Sequence, residues 1–199
     1  MDDARRRVLD AALGMFSDRG FDDVTMTDIA AAAGVARATV FNYFGSKHSL
    51  VETITETVLD AYRAMLDEAL ADSETPTPDL LRRLCRDMAL GIEDTRRFYR
   101  SVFREIARIH LGLDEGSVAQ RANEQTLARV RALIERGRQR GDITSDRSAD
   151  GLASAFHALT NGTITSWLYR DTTEPLEPYL AEAAEVFLGA VAGPCTSST

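Results

Sequence analysis

Apolar residues recur along this chain at intervals of three and four almost from end to end, with no run of the two-residue alternation that marks a half-buried strand. The expected fold class is all-α, with about nine helices. A first helix is predicted over 4–17, with Val8, Ala11, Ala12, Met15 and Phe16 on one face and Gly20 just beyond it. Two short helices follow at 26–33 and 37–44. A long one over 47–71 then carries Leu50, Val51, Ile54, Val58, Tyr62 and Met65. The stretch 73–78 contains two prolines and reads as a loop, and Pro78 suits the start of a helix running to about 93, with Leu81, Leu84, Cys85, Met88 and Ile92 inward. Helices over 95–111 and 117–140 are separated by Gly112 and Gly116. The last two helices span 148–170 and 178–191. The final one has a stripe of Leu180, Ala183, Ala184, Phe187, Leu188 and Val191. The one before it is apolar on two faces: Leu152, Ala155, Phe156, Leu159, Thr163 and Trp167 on one, Ala153, Ile164 and Leu168 on the other. Two faces need two partners: either the chain's own core and a second subunit, or two parts of the same chain.

The two short helices carry the chemistry. The Thr25 hydroxyl can cap the first of them, and Asp28 three residues on completes a capping-box pair. Five alanines in 30–36 favour helix, and Gly34 ends the first helix because glycine adopts the left-handed conformation without strain. A steep crossing after so short a turn needs a small residue at the contact and apolar plugs on the inner faces. Ala30 supplies the first, and Ile29, Val35 and Val40 the second. The outer face of the second helix then presents Arg37, Thr39, Asn42 and Tyr43. Those are a phosphate or guanine partner, a small hydroxyl, an amide able to pair with a base edge, and an aromatic ring with a polar tip. A glycine-linked pair of alanine-rich helices is also a common structural unit, so the longer string decides.

Gly20-Phe21, then Val24-Thr25-Met26-Thr27-Asp28-Ile29-Ala30, Ala33-Gly34-Val35, Thr39-Val40-Phe41, Tyr43-Phe44 and Ser46-Lys47 resemble, without a gap, the N-terminal domain of the tetracycline-repressor (TetR) family. The resemblance implies a helix-turn-helix that binds operator DNA. It implies that Thr25 and Lys47 hold phosphates at the two ends of the motif, and that Arg37, Ala38, Thr39, Asn42 and Tyr43 lie on or in the groove. Two positions depart from the family pattern. Phe41 replaces the usual tyrosine and removes a phenolic phosphate contact. Ala36 replaces the usual Ser or Thr cap, so the second helix begins without a side-chain acceptor for its N–H groups.

The expected organisation is a DNA-binding domain over 1–48, a ligand-binding and dimerisation domain over 49–193, and a disordered tail over 194–199. An apolar content of 44% suffices for packed cores. No apolar run reaches membrane-spanning length, and Met1 to Arg7 is not followed by a signal-peptide core, so a soluble, cytoplasmic protein without membrane association is expected. Cys85 and Cys195 stand apart, so no disulfide framework is expected. The net charge of −8 is unlike that of most DNA-binding proteins. Residues 1–48 hold 6 basic and 7 acidic residues, so most of the acidity lies downstream. Lys47 is the sole lysine of the chain, at a position where the family places a phosphate contact.

The resemblance also implies a pocket for a small hydrophobic ligand in the second domain. The candidate lining is Met65, Met88, Phe98, Phe103, His110, Phe156 and Trp167, a set that also suits an ordinary core. It further implies that the last two helices form a four-helix bundle with their copies. The candidate interface is Leu152, Phe156, Leu159, Thr163, Leu180, Ala184, Phe187 and Val191. Arg96, Arg100, Arg104 and Arg108 recur on one helix face, as in a solvated surface paired with acids, the alternative being a site for an anionic ligand such as a carboxylate or an acyl-coenzyme A. The three histidines have no metal-ligand spacing, and there is no phosphate-binding glycine loop or serine elbow, so neither a catalytic site nor a cofactor is expected. The resulting expectation is a homodimeric, ligand-released repressor of a palindromic operator. The alternative is a helical small-molecule-binding or interaction module whose DNA binding has decayed.

Overall fold

The computed structural model describes residues 3–100, 118–170 and 172–191. Among them there are eight bounded helices and no strand: α1 (Asp3–Arg19), α2 (Met26–Ala33), α3 (Arg37–Phe44), α4 (Lys47–Ala71), α5 (Thr77–Asp94), α6 (Val118–Arg140), α7 (Ala149–Tyr169) and α8 (Glu177–Val191). A ninth helical stretch begins at 96–100. The rest of the expected helix over 95–111, with Phe103, Arg104, Arg108 and His110, lies outside the described residues. The fold is all-α, as the periodicity implies.

The chain divides into two compact units. The first comprises the described residues up to 60 with 95–100 and 118–122, and the second those of 61–94 and from 123 onward. In the first unit α1 packs on α2 and α3. Its core joins Val8, Ala12 and Phe16 of α1, Ile29 and Ala33 of α2, and Val40 and Phe44 of α3 with Leu50 and Val51 of α4 and with Phe98. The Phe16 ring stands 5.6 Å from that of Phe21 and 6.4 Å from that of Phe98. Burying aromatic rings from separate helices in one cluster is what fixes three short helices that would be marginal alone.

In the second unit α8 packs on α5 and α7. Leu80, Leu81, Cys85, Leu133, Ile134, Phe156, Leu176 and Leu180 are fully buried. Burial pushes the Cys85 thiol up to about 12, so it behaves as a small apolar side chain. Several helix ends are closed from far along the chain. The Asp142 carboxylate accepts a hydrogen bond from the Thr77 N–H at 3.0 Å, capping α5. Glu93 accepts from the N–H groups of Leu176 and Glu177 at the start of α8. Arg136 donates to the carbonyls of Ala69 and Leu70 at the end of α4, at 3.1 and 3.0 Å. Gly137 sits inside α6 for a steric reason: a Cβ there would stand 2.9 Å from the Thr77 hydroxyl and 3.0 Å from Ile143.

Candidate nucleic-acid interface

Thr25 closes the N-terminus of α2 with both halves of a capping box. Its hydroxyl accepts from the Asp28 N–H at 3.2 Å, and the Asp28 carboxylate accepts from the Thr25 N–H at 3.0 Å and from its hydroxyl at 2.9 Å. These bonds, the backbone one first, hold the Asp28 carboxyl below its ordinary range, with Arg19 at 3.7 Å adding a smaller effect. Both donors of Thr25 are therefore engaged inside the cap.

Gly34 ends α2 at φ 64° and ψ 39°, and Val35 N–H returns to the Ala30 carbonyl at 3.0 Å. Only Gly34, Val35 and Ala36 separate the two helices. Ala36 is extended and gives no side-chain cap, although its carbonyl accepts from Thr39 N–H at 2.9 Å. Gly45 stops α3 at φ 70°, a conformation that suits glycine. Ser46 starts α4, its hydroxyl accepting from Ser49 N–H at 3.1 Å.

These constraints set which side chains α3 shows. Val40 and Phe44 are buried against α1 and α2, Thr39 and Tyr43 are half-buried, and Arg37, Ala38, Phe41 and Asn42 are exposed. The Arg37 guanidinium lies 5.2 Å from the centre of the Phe41 ring. Arg5 of α1 reaches over the ring of Phe44, at 5.3 Å. Lys47 donates to the carbonyls of Phe21 and Val24 at 2.6 and 2.9 Å, and its ammonium sits 4.2 Å from the centre of the Phe21 ring.

Charge pairing sorts the basic residues of this unit. Arg6 and Arg7 face Asp3 at 2.8 and 3.6 Å, and Arg19 faces Asp28. Among the described residues Arg37 and Lys47 make no ion pair. The region around α3 thus presents positive charge that acids do not cancel, within a unit that is not basic as a whole. The seven residues expected from sequence lie along one stretch of structure, on α3 and at the starts of α2 and α4. Sequence reasoning treated Phe41 only as a lost phenol and did not single out Arg5, whereas the structure sets them beside Arg37 and Phe44 respectively. The signal for Phe41 was its i, i+4 spacing from Arg37.

The other candidates are more dispersed. Phe98 belongs to the core of the first unit, whereas Met65, Met88, Phe156 and Trp167 belong to the second. There Met88, Phe156 and Trp167 are buried and Met65 is half-buried, and the Trp167 indole donates to the Glu174 carbonyl at 2.9 Å. Phe103 and His110 lie outside the described residues. Of the expected interface residues, Leu152, Phe156, Leu180, Ala184, Phe187 and Val191 are buried inside the second unit itself. Phe156 and Phe187, for example, pack ring to ring at 5.1 Å. Only Leu159 and Thr163 remain part-exposed, in a groove between α7 and α8 shared with Ala158, Gly162, Ser166 and Val186.

The family model for bacterial regulatory proteins of the tetR family matches residues 8–54. The HTH-type transcriptional repressor BepR of Brucella suis is 27% identical over 84% of this chain and 81% of its own. Among solved structures, SmeT, the repressor of the Stenotrophomonas maltophilia multidrug efflux pump SmeDEF, matches with a TM-score of 0.75 and 22% identity, over 95% of this chain and 92% of that one. SmeT has also been solved with triclosan. The transcriptional repressor FadR of Thermus thermophilus, solved with lauroyl-CoA, matches with a TM-score of 0.69 and 23% identity, over 98% of both chains. Among the described residues no helix is long and apolar enough to cross a membrane.

Proposed function

We infer that this chain, which belongs to the TetR family of bacterial regulatory proteins, is a transcriptional repressor that reads a palindromic operator as a homodimer and releases it when a small apolar ligand binds. The observation that carries the reading is the outer face of α3, where Arg37 and Asn42 are exposed behind a turn held by Thr25, Asp28 and Gly34. Arg37 has the geometry to pair with guanine or a phosphate, and Asn42 with adenine. Thr39 and Tyr43 border the groove, with Ala38 just before Thr39 on the exposed side of α3. Lys47 has three ammonium donors, two of them on carbonyls, which leaves a third for a phosphate. Thr25 reaches a phosphate by exchanging its bond to Asp28.

Residues 1–48 form the DNA-binding part in this reading and 49–193 the ligand-binding and dimerisation part. A dimer places two recognition helices about one helical turn of DNA apart. A second copy covers the groove of Leu159, Gly162, Thr163 and Val186, where a Cβ built on Gly162 meets nothing within 4 Å and Val186 is 59% exposed. Triclosan bound to SmeT and the lauroyl chain of the lauroyl-CoA bound to FadR support a ligand with an apolar part here. A ligand that favours the non-binding arrangement of the dimer shifts the population away from DNA.

The test is selection of the purified full chain against a random duplex DNA pool. Enrichment of a palindrome supports the reading. A folded chain that enriches nothing at low salt overturns it and favours the module without DNA binding.

A further inference from the structure

We propose that Phe41 is a base-reading residue that recognises the 5-methyl group of a thymine within two base-pair steps of the base or phosphate held by Arg37; this rests on the reading of α3 as a recognition helix. Phe41 is 38% exposed, while the other aromatic side chains of the helix-turn-helix, Tyr43 and Phe44, are half-buried and buried. The ring stands on an eight-residue helix among three exposed neighbours, so it offers apolar surface to whatever covers α3 in use. Nothing in the unit's own core recruits it, because the inward positions are taken by Val40 and Phe44.

Its neighbours define what covers it. Arg37 lies one helical turn before it with its guanidinium 5.2 Å from the ring centre, and the exposed methyl of Ala38 stands three residues before it. Asn42 is exposed beside it. The result is an apolar strip of Ala38 and Phe41 edged by a cation and an amide. In the major groove the one apolar group presented by a base pair is the thymine methyl, and alanine and phenylalanine side chains are the types that contact it. Four residues of helix rise about 6 Å, under two base-pair steps of about 3.4 Å, so Arg37 and Phe41 address neighbouring pairs. The stack on Phe41 also limits the directions the guanidinium can take, so the ring positions Arg37 as well as touching the base. A tyrosine here would place a hydroxyl where this ring offers only carbon. The substitution therefore changes what is read as well as removing a phosphate contact.

The experiment uses the duplex that the wild-type chain selects from a random pool. Each thymine in turn is replaced by deoxyuridine, which removes the methyl and leaves base pairing and phosphates intact. Affinities are measured for wild type and Phe41→Ala, whose folding is checked by its helical signal and melting temperature. The expected result is one thymine per half-site whose replacement weakens wild type about fourfold, with Phe41→Ala weakened on the thymine duplex and indifferent to that replacement. If no replacement matters, or if the penalty persists unchanged in Phe41→Ala, the ring does not read a methyl. If Phe41→Ala weakens thymine and deoxyuridine duplexes alike, the ring acts only on the sugar-phosphate backbone or on Arg37, and the proposal falls while the DNA-binding reading stands. If the pool yields no site at all, both fall together.

Discussion

The Lys47 ammonium lies 4.2 Å from the centre of the Phe21 ring and donates to the Phe21 carbonyl at 2.6 Å. A second bond to the Val24 carbonyl at 2.9 Å completes a clamp between the start of α4 and the loop that delivers Thr25 to its cap. The residue that the family resemblance assigns to a phosphate thus also holds the recognition motif together. Lys47→Met should lower the unfolding free energy by about 1–2 kcal/mol, because two carbonyls lose a charged donor. Urea denaturation measures this, and an unaltered midpoint would remove the clamp from the account. If the third N–H meets a phosphate, the slope of log affinity against log salt becomes shallower by about 1 for each head.

Acid should loosen the turn before α5 in a definite window. Hydrogen bonds from the Thr75 N–H and hydroxyl, then from the Glu74 N–H and Arg83, hold the Asp72 carboxyl down at about 2. An unfolded aspartate titrates near ~3.9. A depressed pKa adds stability above the unfolded value and loses it as pH falls through the folded one. Asp72→Asn should therefore melt below wild type at pH 5–7, and the gap should close between about pH 4 and about pH 2. A gap of constant size across that range would show that the carboxylate's charge contributes nothing there.

Dimer formation should depend on residues that the chain leaves uncovered. Val186→Arg and Leu159→Glu place charge in the groove between α7 and α8 and should shift the sedimentation coefficient to that of a monomer, with the helical signal unchanged. Operator affinity should fall with dimerisation. A dimer that survives both changes would move the interface elsewhere.

What sequence disclosed and what it hid have physical reasons. Both ends of α2 and the C-terminal end of α3 follow from Thr25, Gly34 and Gly45 because capping is decided by residues within a turn of the end. Ser148, read as the start of its helix, is the N-cap of α7, and its hydroxyl accepts from Gly151 N–H at 3.1 Å. Caps supplied from elsewhere were invisible, since nothing in Asp142 or Glu93 announces a helix start 65 or 83 residues away. The apolar stripe of α8 correctly marks buried positions, but periodicity cannot say who buries them. Phe187 and Val191, expected against a second subunit, are covered by the chain itself. Phe41, read only as a tyrosine that has lost its hydroxyl, shows its exposed ring beside Arg37 once the helix is placed.

The chain's charge makes its DNA binding a matter of a few local contacts. With a net charge of −8, little of the affinity can come from general attraction to phosphate, so single side chains on α3 must carry it. The most direct measurement is a titration of the selected duplex with wild type, Arg37→Ala and Tyr43→Phe at one salt concentration, with the dimer verified by sedimentation. Loss of at least about tenfold in affinity for Arg37→Ala, and a smaller loss for Tyr43→Phe, is the predicted result. Undiminished affinity in both folded, dimeric variants would contradict the assignment of α3 as the reading helix.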